Sequence, residues 1–229
     1  MTRVPYSHSE TAMRRIEKPR KLPRQQRAQM TVDAILDAAA RILSGDGYPA
    51  MSTNRVAELA GVSVGSLYQY FPNKDALVAA LHERHGRQIH ELLDVALRET
   101  EGSSLRAVVT ALVRAALQGH LIDPQLHRVL EAEFPFFDAP VAEGNDHLDV
   151  HARLRARLAE HRAEIAPRDL DLANYIVRTT VQTMVHAAVI DPPAAFTTAQ
   201  LETSIIDLVM GYLQPATLRT PMRARRASA

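Results

Sequence analysis

Apolar residues recur at spacings of three and four along almost the whole chain, and that period most restricts what it can fold into. Val32, Ile35, Leu36, Ala39 and Leu43 lay one apolar stripe along a helix. Gly45 and Gly47 are read as its end. Ser52 to Ala60 is a short segment with Val56, Leu59 and Ala60 on one face, and Gly61-Val62-Ser63 is a tight turn. Val64 to Phe71 follows as a second short helix, and Pro72-Asn73 breaks the chain before a long helix from Lys74 to Arg98. Gly102, Pro124, Pro135, Pro140, Pro167, Pro192-Pro193 and Pro215 punctuate helices expected at 104–121, 124–133, 146–163, 169–189 and 198–213. No stretch alternates apolar and polar residues as a half-buried strand does, and no internal repeat occurs. The expected fold class is all-α.

Composition removes whole classes of chemistry. The 229 residues contain no Cys, so disulfides, thiolate zinc sites, iron–sulfur clusters and cysteine nucleophiles are excluded together. The first 30 residues are polar and basic, without the apolar stretch of a secretory signal. The most apolar run, Val108 to Leu117, is interrupted by Arg114 and is far short of a membrane span. The expected location is cytoplasmic, with no membrane partner.

The formal charge of +1 conceals a division. Residues 1–28 carry eight basic residues against Glu10 and Glu17, a net +6. The last eleven residues carry Arg219, Arg223, Arg225 and Arg226 and no acid, a net +4. The stretch between holds fifteen basic and twenty-four acidic residues, a net −9. Basic arms therefore flank an acidic body, a pattern that fits either solvated tails or contact with a polyanion.

Two short helices joined by a glycine-containing turn form a unit whose second helix can enter the major groove of DNA. Spacing alone fits an ordinary pair of core helices equally well, so local details matter. Arg55 sits in the opening turn of the helix started by Ser52, where a cation opposes the helix dipole by about 0.3–1 kcal/mol. Lys74 repeats the anomaly just after Asn73. A basic side chain beside a helix N-terminus strengthens a phosphate site. Val64 to Phe71 holds no charged residue, yet Ser66, Tyr68, Gln69 and Tyr70 offer neutral donors and acceptors suited to base edges. Gly65 lowers helix propensity but allows close backbone approach to another surface.

The run from Val56 to Leu77, VAELAGVSVGSLYQYFPNKDAL, resembles the DNA-binding signature of TetR-type (tetracycline-repressor-like) regulators, and the preceding Gly47-Tyr48 and Ser52-Thr53 fit its pattern. The resemblance covers residues 27–77, about a quarter of the chain. It implies that Ser52, Thr53, Asn54 and Arg55 open the first helix of the motif and touch phosphates and at times a base. It implies that Ser63, Val64, Gly65 and Ser66 begin the recognition helix, continued on its exposed side by Tyr68, Gln69 and Tyr70. Tyr68 and Tyr70 match backbone-contacting positions, and Lys74 matches a phosphate contact. Val56, Leu59, Ala60, Leu67 and Phe71 are expected in the core. The implied architecture is a three-helix helix-turn-helix domain over 27–77 and a helical effector-binding and dimerisation domain over 78–215. Arms at 1–26 and 216–229 flank them, the first expected to add nonspecific or minor-groove contacts.

No motif of similar specificity marks the second half. Leu201, Ile205, Leu208, Val209 and Tyr212 form a stripe on the final helix, and Ile176, Val177, Val181, Met184 and Val185 form one on the helix before. Internal core explains any one of these residues. The resemblance implies that the two helices together form a homodimer interface, which would hold two recognition helices about one DNA turn, ~34–36 Å, apart. Phe134 and Phe137, in a Phe-Pro-Phe-Phe loop, either line an apolar pocket or cap a core. Tyr175, Arg178, Gln182 and His186, with His127 and His151, are the polar pocket candidates. Phe134, Phe137 and Arg178 together suggest an apolar effector, aromatic or anionic.

His82, His85 and His90, and His147 and His151, have spacings at which one helical face can present two metal ligands. Charged surface helices also carry such pairs, no His-Glu-x-x-His pattern is present and no soft ligand exists. Neither a metal nor another cofactor is expected. No nucleophile–base pair or phosphate-cradling glycine loop appears either, so no enzymatic activity is expected. The leading expectation is a sequence-specific transcriptional regulator, a repressor released from a near-palindromic double-stranded DNA operator by a small-molecule effector. The alternatives are a nonspecific architectural DNA-binding protein and a metal-responsive regulator.

Overall fold

The computed structural model describes residues 26–133, 146–191 and 193–214. Phe134, Phe137, the tail 216–229 and all but Gln26 of the arm 1–26 lie outside the described residues. Nine helices and no strand occur among those described: α1 Gln26–Ala50, α2 Thr53–Ala60, α3 Val64–Tyr70, α4 Lys74–Glu99, α5 Leu105–His120, α6 Pro124–Glu133, α7 Asp146–Glu160, α8 Leu170–Ile190 and α9 Thr198–Leu213. The chain is all-α.

Side-chain caps set most of the helix starts. Ser52, Ser63, Asn73, Ser104, Asp169 and Thr197 each precede a helix, and each accepts a backbone N–H of its first turn. Such caps are worth about 1 kcal/mol each. Thr197 and Gln200 complete a reciprocal capping box, and Pro124 opens α6 where its missing N–H costs nothing. The two glycines expected to end the first helix behave differently. α1 runs through Gly45, and the chain breaks at Gly47 (φ 75°, ψ 174°) before a last turn to Ala50.

Packing divides the helices into two cores. The first joins Ile35 and Leu43 of α1, Val56 and Ala57 of α2, Leu67 of α3, Phe71, and Leu77 and Leu81 of α4. Leu67 is fully buried, which alone is worth about 1.5–3 kcal/mol. Leu59 departs from expectation. It lies on the last turn of α2, 49 % exposed, because Val56 and Ala57 take the buried face. The first core also receives Leu126 and Leu130 of α6, so a helix from the second half of the chain closes over the α1–α3 bundle. The other core gathers Leu97 of α4 with the apolar faces of α5, α7, α8 and α9. α4 is the shared beam, contributing its N-terminal half to one core and Leu97 to the other.

Interhelical ion pairs trim the packing. Arg84 reaches Asp37 at 2.7 Å, Arg153 reaches Asp94 at 2.6 Å and Arg114 reaches Glu202 at 2.8 Å. Partly exposed pairs of this kind add at most about 1 kcal/mol each, so burial dominates. No single helix among the described residues is long and apolar enough to cross a membrane.

Candidate functional site

The α1–α3 bundle is organised around the turn after α2. Gly61 takes the left-handed conformation (φ 67°, ψ 30°), and its own N–H and that of Val62 return to the Glu58 and Ala57 carbonyls. That Schellman-like closure suits glycine and sends the chain into α3 across a three-residue turn. Ser63 Oγ accepts the Ser66 amide at 3.0 Å and shares a hydrogen bond with Ser66 Oγ at 2.8 Å. Thr53 Oγ1 and the Tyr68 hydroxyl are 3.1 Å apart, which ties the start of α2 to the outer side of α3.

Ser52, Asn54, Arg55, Ser63, Val64, Gly65, Tyr68 and Gln69 are exposed, while Thr53, Ser66, Tyr70 and Lys74 are partly covered. Val64 and Tyr68 are among the exposed large apolar residues. An added Cβ at Gly65 would meet nothing nearer than Ser63 Oγ at 3.9 Å, so nothing within the described chain demands glycine there.

The two cations read as anomalies have local partners. Arg55 bonds Asp46 of α1 at 2.5 Å and the Ala50 carbonyl at 3.3 Å. The intramolecular pair accounts for Arg55 in the first turn of α2 more simply than the dipole argument did. Both partners are about half exposed, so the pair is weak enough to exchange for a phosphate. Lys74 Nζ lies 3.8 Å from the centroid of the Tyr48 ring and donates to the Tyr48 carbonyl at 3.4 Å. The Tyr48 hydroxyl in turn donates to Asp75. Tyr48 thus holds Lys74 at the start of α4, a positioning role that sequence reasoning missed; its position just after the Gly47 break was the available signal.

In the second half, the structure regroups the candidates. His127 is buried and its ring lies 5.1 Å from that of His186. His120, which sequence reasoning overlooked, packs edge-on to His127 at 4.5 Å. His85 Nε2 bonds His127 Nδ1 at 3.0 Å. Burial, then repulsion from His120 and His82, pushes His85 down to about 4. Burial, then His120 and His85, pushes His127 down to about 3. Burial lowers His120 as well. These imidazoles are neutral at neutral pH. His82 faces Glu131 at 3.6 Å, and that hydrogen-bonding partner holds the Glu131 carboxyl below its ordinary value. His82 and His85 therefore brace α6 through two different partners and do not form a two-ligand pair. His90 Nδ1 bonds the Gly86 carbonyl, and the side chain of His147 is outside the described residues.

The other described candidates are not members of the His120–His127–His186 group. His151 is partly buried, and burial followed by the charges of Arg178 and His90 lowers it. Arg178 stands 5.7 Å from the Tyr175 ring centroid. Tyr175 and Gln182 are exposed. A cleft of about 390 Å³ lies beside His85, between α1, α4 and the turn before α6, with Asp37, Arg41, Arg84 and Asp123 on its wall. None of the predicted pocket residues among the described residues lines it.

The predicted dimer stripe also divides. Ile205 and Val209 are buried against the protomer's own core, Leu201 is partly covered, and Leu208 and Tyr212 are exposed. A helical stripe broad enough to fill a core has an edge, and here that edge is what remains outside. Leu172, Tyr175 and Met184 of α8 are exposed as well. A shallow groove of about 220 Å³ runs between the helices beside Ile176, Leu208 and Tyr212.

Comparison with known proteins agrees with this geometry. Residues 35–81 match the family described as "Bacterial regulatory proteins, tetR family", and residues 104–213 match the "Tetracyclin repressor-like, C-terminal domain". The chain belongs to the TetR family. It is 36 % identical over 116 residues to the HTH-type transcriptional repressor KstR of Mycolicibacterium smegmatis, a match covering 50 % of this chain and 55 % of the relative. KstR of Rhodococcus jostii is 32 % identical over 112 residues, covering 47 % and 49 %. The chain thus spans about half the length of the relatives it matches. Among solved structures, the fatty acid degradation regulator FadR of Bacillus halodurans superimposes with a TM-score of 0.61 at 20 % identity, covering 79 % of this chain and 95 % of that one. A TetR-family regulator of Streptomyces coelicolor gives 0.56 at 24 % identity, covering 81 % and 96 %. These likenesses establish a shared fold.

Proposed function

We propose that the protein is a sequence-specific DNA-binding transcriptional regulator, a homodimeric repressor released from a near-palindromic operator by a small molecule. The observation that carries this reading is the outer side of α2 and α3. It combines exposed neutral donors and acceptors at Ser63, Gln69 and Tyr68 with cations held at its margin by Asp46 and Tyr48. Neutral groups read base edges, and marginal cations take phosphates and set register.

In this reading Ser52, Thr53, Asn54, Arg55 and Lys74 serve the backbone. Ser63, Val64, Gly65, Ser66, Gln69 and the two tyrosines enter or flank the groove. Residues 27–77 act as the head, and 78–215 as the effector and dimerisation unit. The repressor sense is supported by the names of the KstR relatives. The partner copy docks on the exposed apolar face of α8 and α9. The effector acts by linkage: it stabilises a spacing of the two heads that does not fit the operator. α6 offers the mechanical route, because it packs on α1 and on α8.

Competition against random DNA at physiological salt tests the reading. A specific regulator retains its labelled site against a thousandfold excess of random duplex by mass, because specific binding exceeds nonspecific by about 10³–10⁷. Equal displacement by random and specific DNA would establish an architectural binder instead. The arm 1–26 carries most of the N-terminal basic charge, and deletion of residues 1–22 is expected to flatten the salt dependence of binding. An unchanged salt slope would remove the arm from the interface.

A further inference from the structure

We propose that His120, His127 and His186 form a binding site for a divalent transition-metal cation of the zinc, nickel and cobalt class. One nitrogen from each of the three rings lies within 4.8 Å of the others. The site is assembled from the end of α5, the first turns of α6 and the last turns of α8. A tetrahedral ion binds imidazole nitrogen at about 2.0–2.1 Å, which sets the nitrogens roughly 3.3 Å apart. Side-chain rotations moving each ring by about an ångström close that difference.

The hydrogen bonds around the cluster bear on which ring nitrogens can offer a lone pair. His120 Nδ1 donates to the Ala116 carbonyl at 2.7 Å, which leaves Nε2 with the lone pair. His127 Nδ1 lies 3.0 Å from His85 Nε2, and in the tautomer in which His127 Nδ1 donates, its Nε2 keeps the lone pair a metal needs. His127 Nε2 is buried with no hydrogen-bond partner among the described residues, and the His127 residue is only 2 % exposed. A buried ring nitrogen without a partner loses its hydration and gains nothing in return, unless an ion takes its lone pair. Carbonyl and imidazole partners behind the ligating rings are the outer shell that fixes tautomer and orientation at metal sites.

The donor set selects the cation class. Three imidazoles suit borderline divalent ions, whereas magnesium and calcium require oxygen. Three protein ligands leave a fourth position for water or an exogenous donor. Glu131, one turn beyond His127 on α6 and 3.6 Å from His82, places a carboxylate near the site. An ion here would bind α6 to α5 and α8, while Leu126 and Leu130 of α6 seal the reading head. Through that connection occupancy reaches the DNA-binding surface, a consequence that rests on the function proposed above.

Calorimetric titration of the full, tag-free, chelator-treated chain with zinc tests the site without involving DNA. One ion per chain at micromolar affinity or tighter is expected. His186→Ala, at a partly covered position, is expected to weaken zinc more than tenfold while retaining the circular dichroism of the parent; His186→Gln serves as the second variant. Cobalt loading of the parent should produce the visible absorption of a low-symmetry nitrogen-ligated ion, lost in both variants. Absence of zinc binding, or zinc and cobalt binding that survives both substitutions, would overturn the proposal. An effect on the protein's DNA affinity that is present in the parent and absent in His186→Ala supports the coupling. DNA binding that ignores zinc despite a filled site overturns the coupling alone.

Discussion

At Gly65 stability and binding make opposite demands. Space surrounds the position and the residue lies inside α3, so Gly65→Ala is expected to raise stability by about 0.5–1 kcal/mol through helix propensity. The same methyl stands on the surface proposed to meet DNA, where close backbone approach is the use of glycine. Operator affinity should therefore fall although the fold becomes more stable. Urea midpoints and fluorescence anisotropy measured on one preparation check both signs; a variant that is stabilised and binds as well as the parent would take Gly65 out of the interface. Lys74 and Arg55 show a related division. Their charges were legible in the sequence as oddities of helix starts, but Tyr48 and Asp46 lie 26 and 9 residues away from them. Both partners follow the helical course of α1 around its glycines, and no local pattern records that.

At the scale of elements, boundaries were the most legible feature. Caps such as Ser52, Asn73 and Thr197 and breakers such as Gly61 and Pro124 act within a few residues of where they stand, so their chemistry can be read in order. Which side of a helix is covered, by contrast, depends on neighbours far along the chain. Leu59 fits the apolar stripe of α2 yet stays half exposed, while Ile205 and Val209 fit a docking stripe yet fill the protomer's own core. The histidine cluster was illegible for the same reason: its members come from three helices, and the spacing of His120 to His186 is 66 residues. The edge left outside by α8 and α9 carries a prediction. Leu208 is 53 % exposed, so Leu208→Asp should change the stability of an isolated protomer by no more than about 0.5 kcal/mol. Sedimentation velocity is expected to show a shift from dimer to monomer, with weaker DNA binding in parallel. A variant that sediments as the parent dimer would place the interface elsewhere.

Across the whole molecule, the division of charge and the division of packing do not coincide. Basic residues gather in the terminal arms and acidic residues in the stretch between them. The cores, however, interlock: α4 enters both, and α6 carries Leu126 and Leu130 into the core of α1–α3. In the function proposed above, this shared packing of α6 is the route by which an effector acts on α1–α3. The central claim is that this coupled protein reads a symmetric DNA sequence with two heads. A nuclease footprint on the DNA flanking the protein's own gene tests it most directly. Two symmetry-related protected half-sites, with centres about 34–36 Å or a multiple of that apart, are the predicted result. Uniform protection without a boundary, or no protection anywhere on that DNA, would contradict the account.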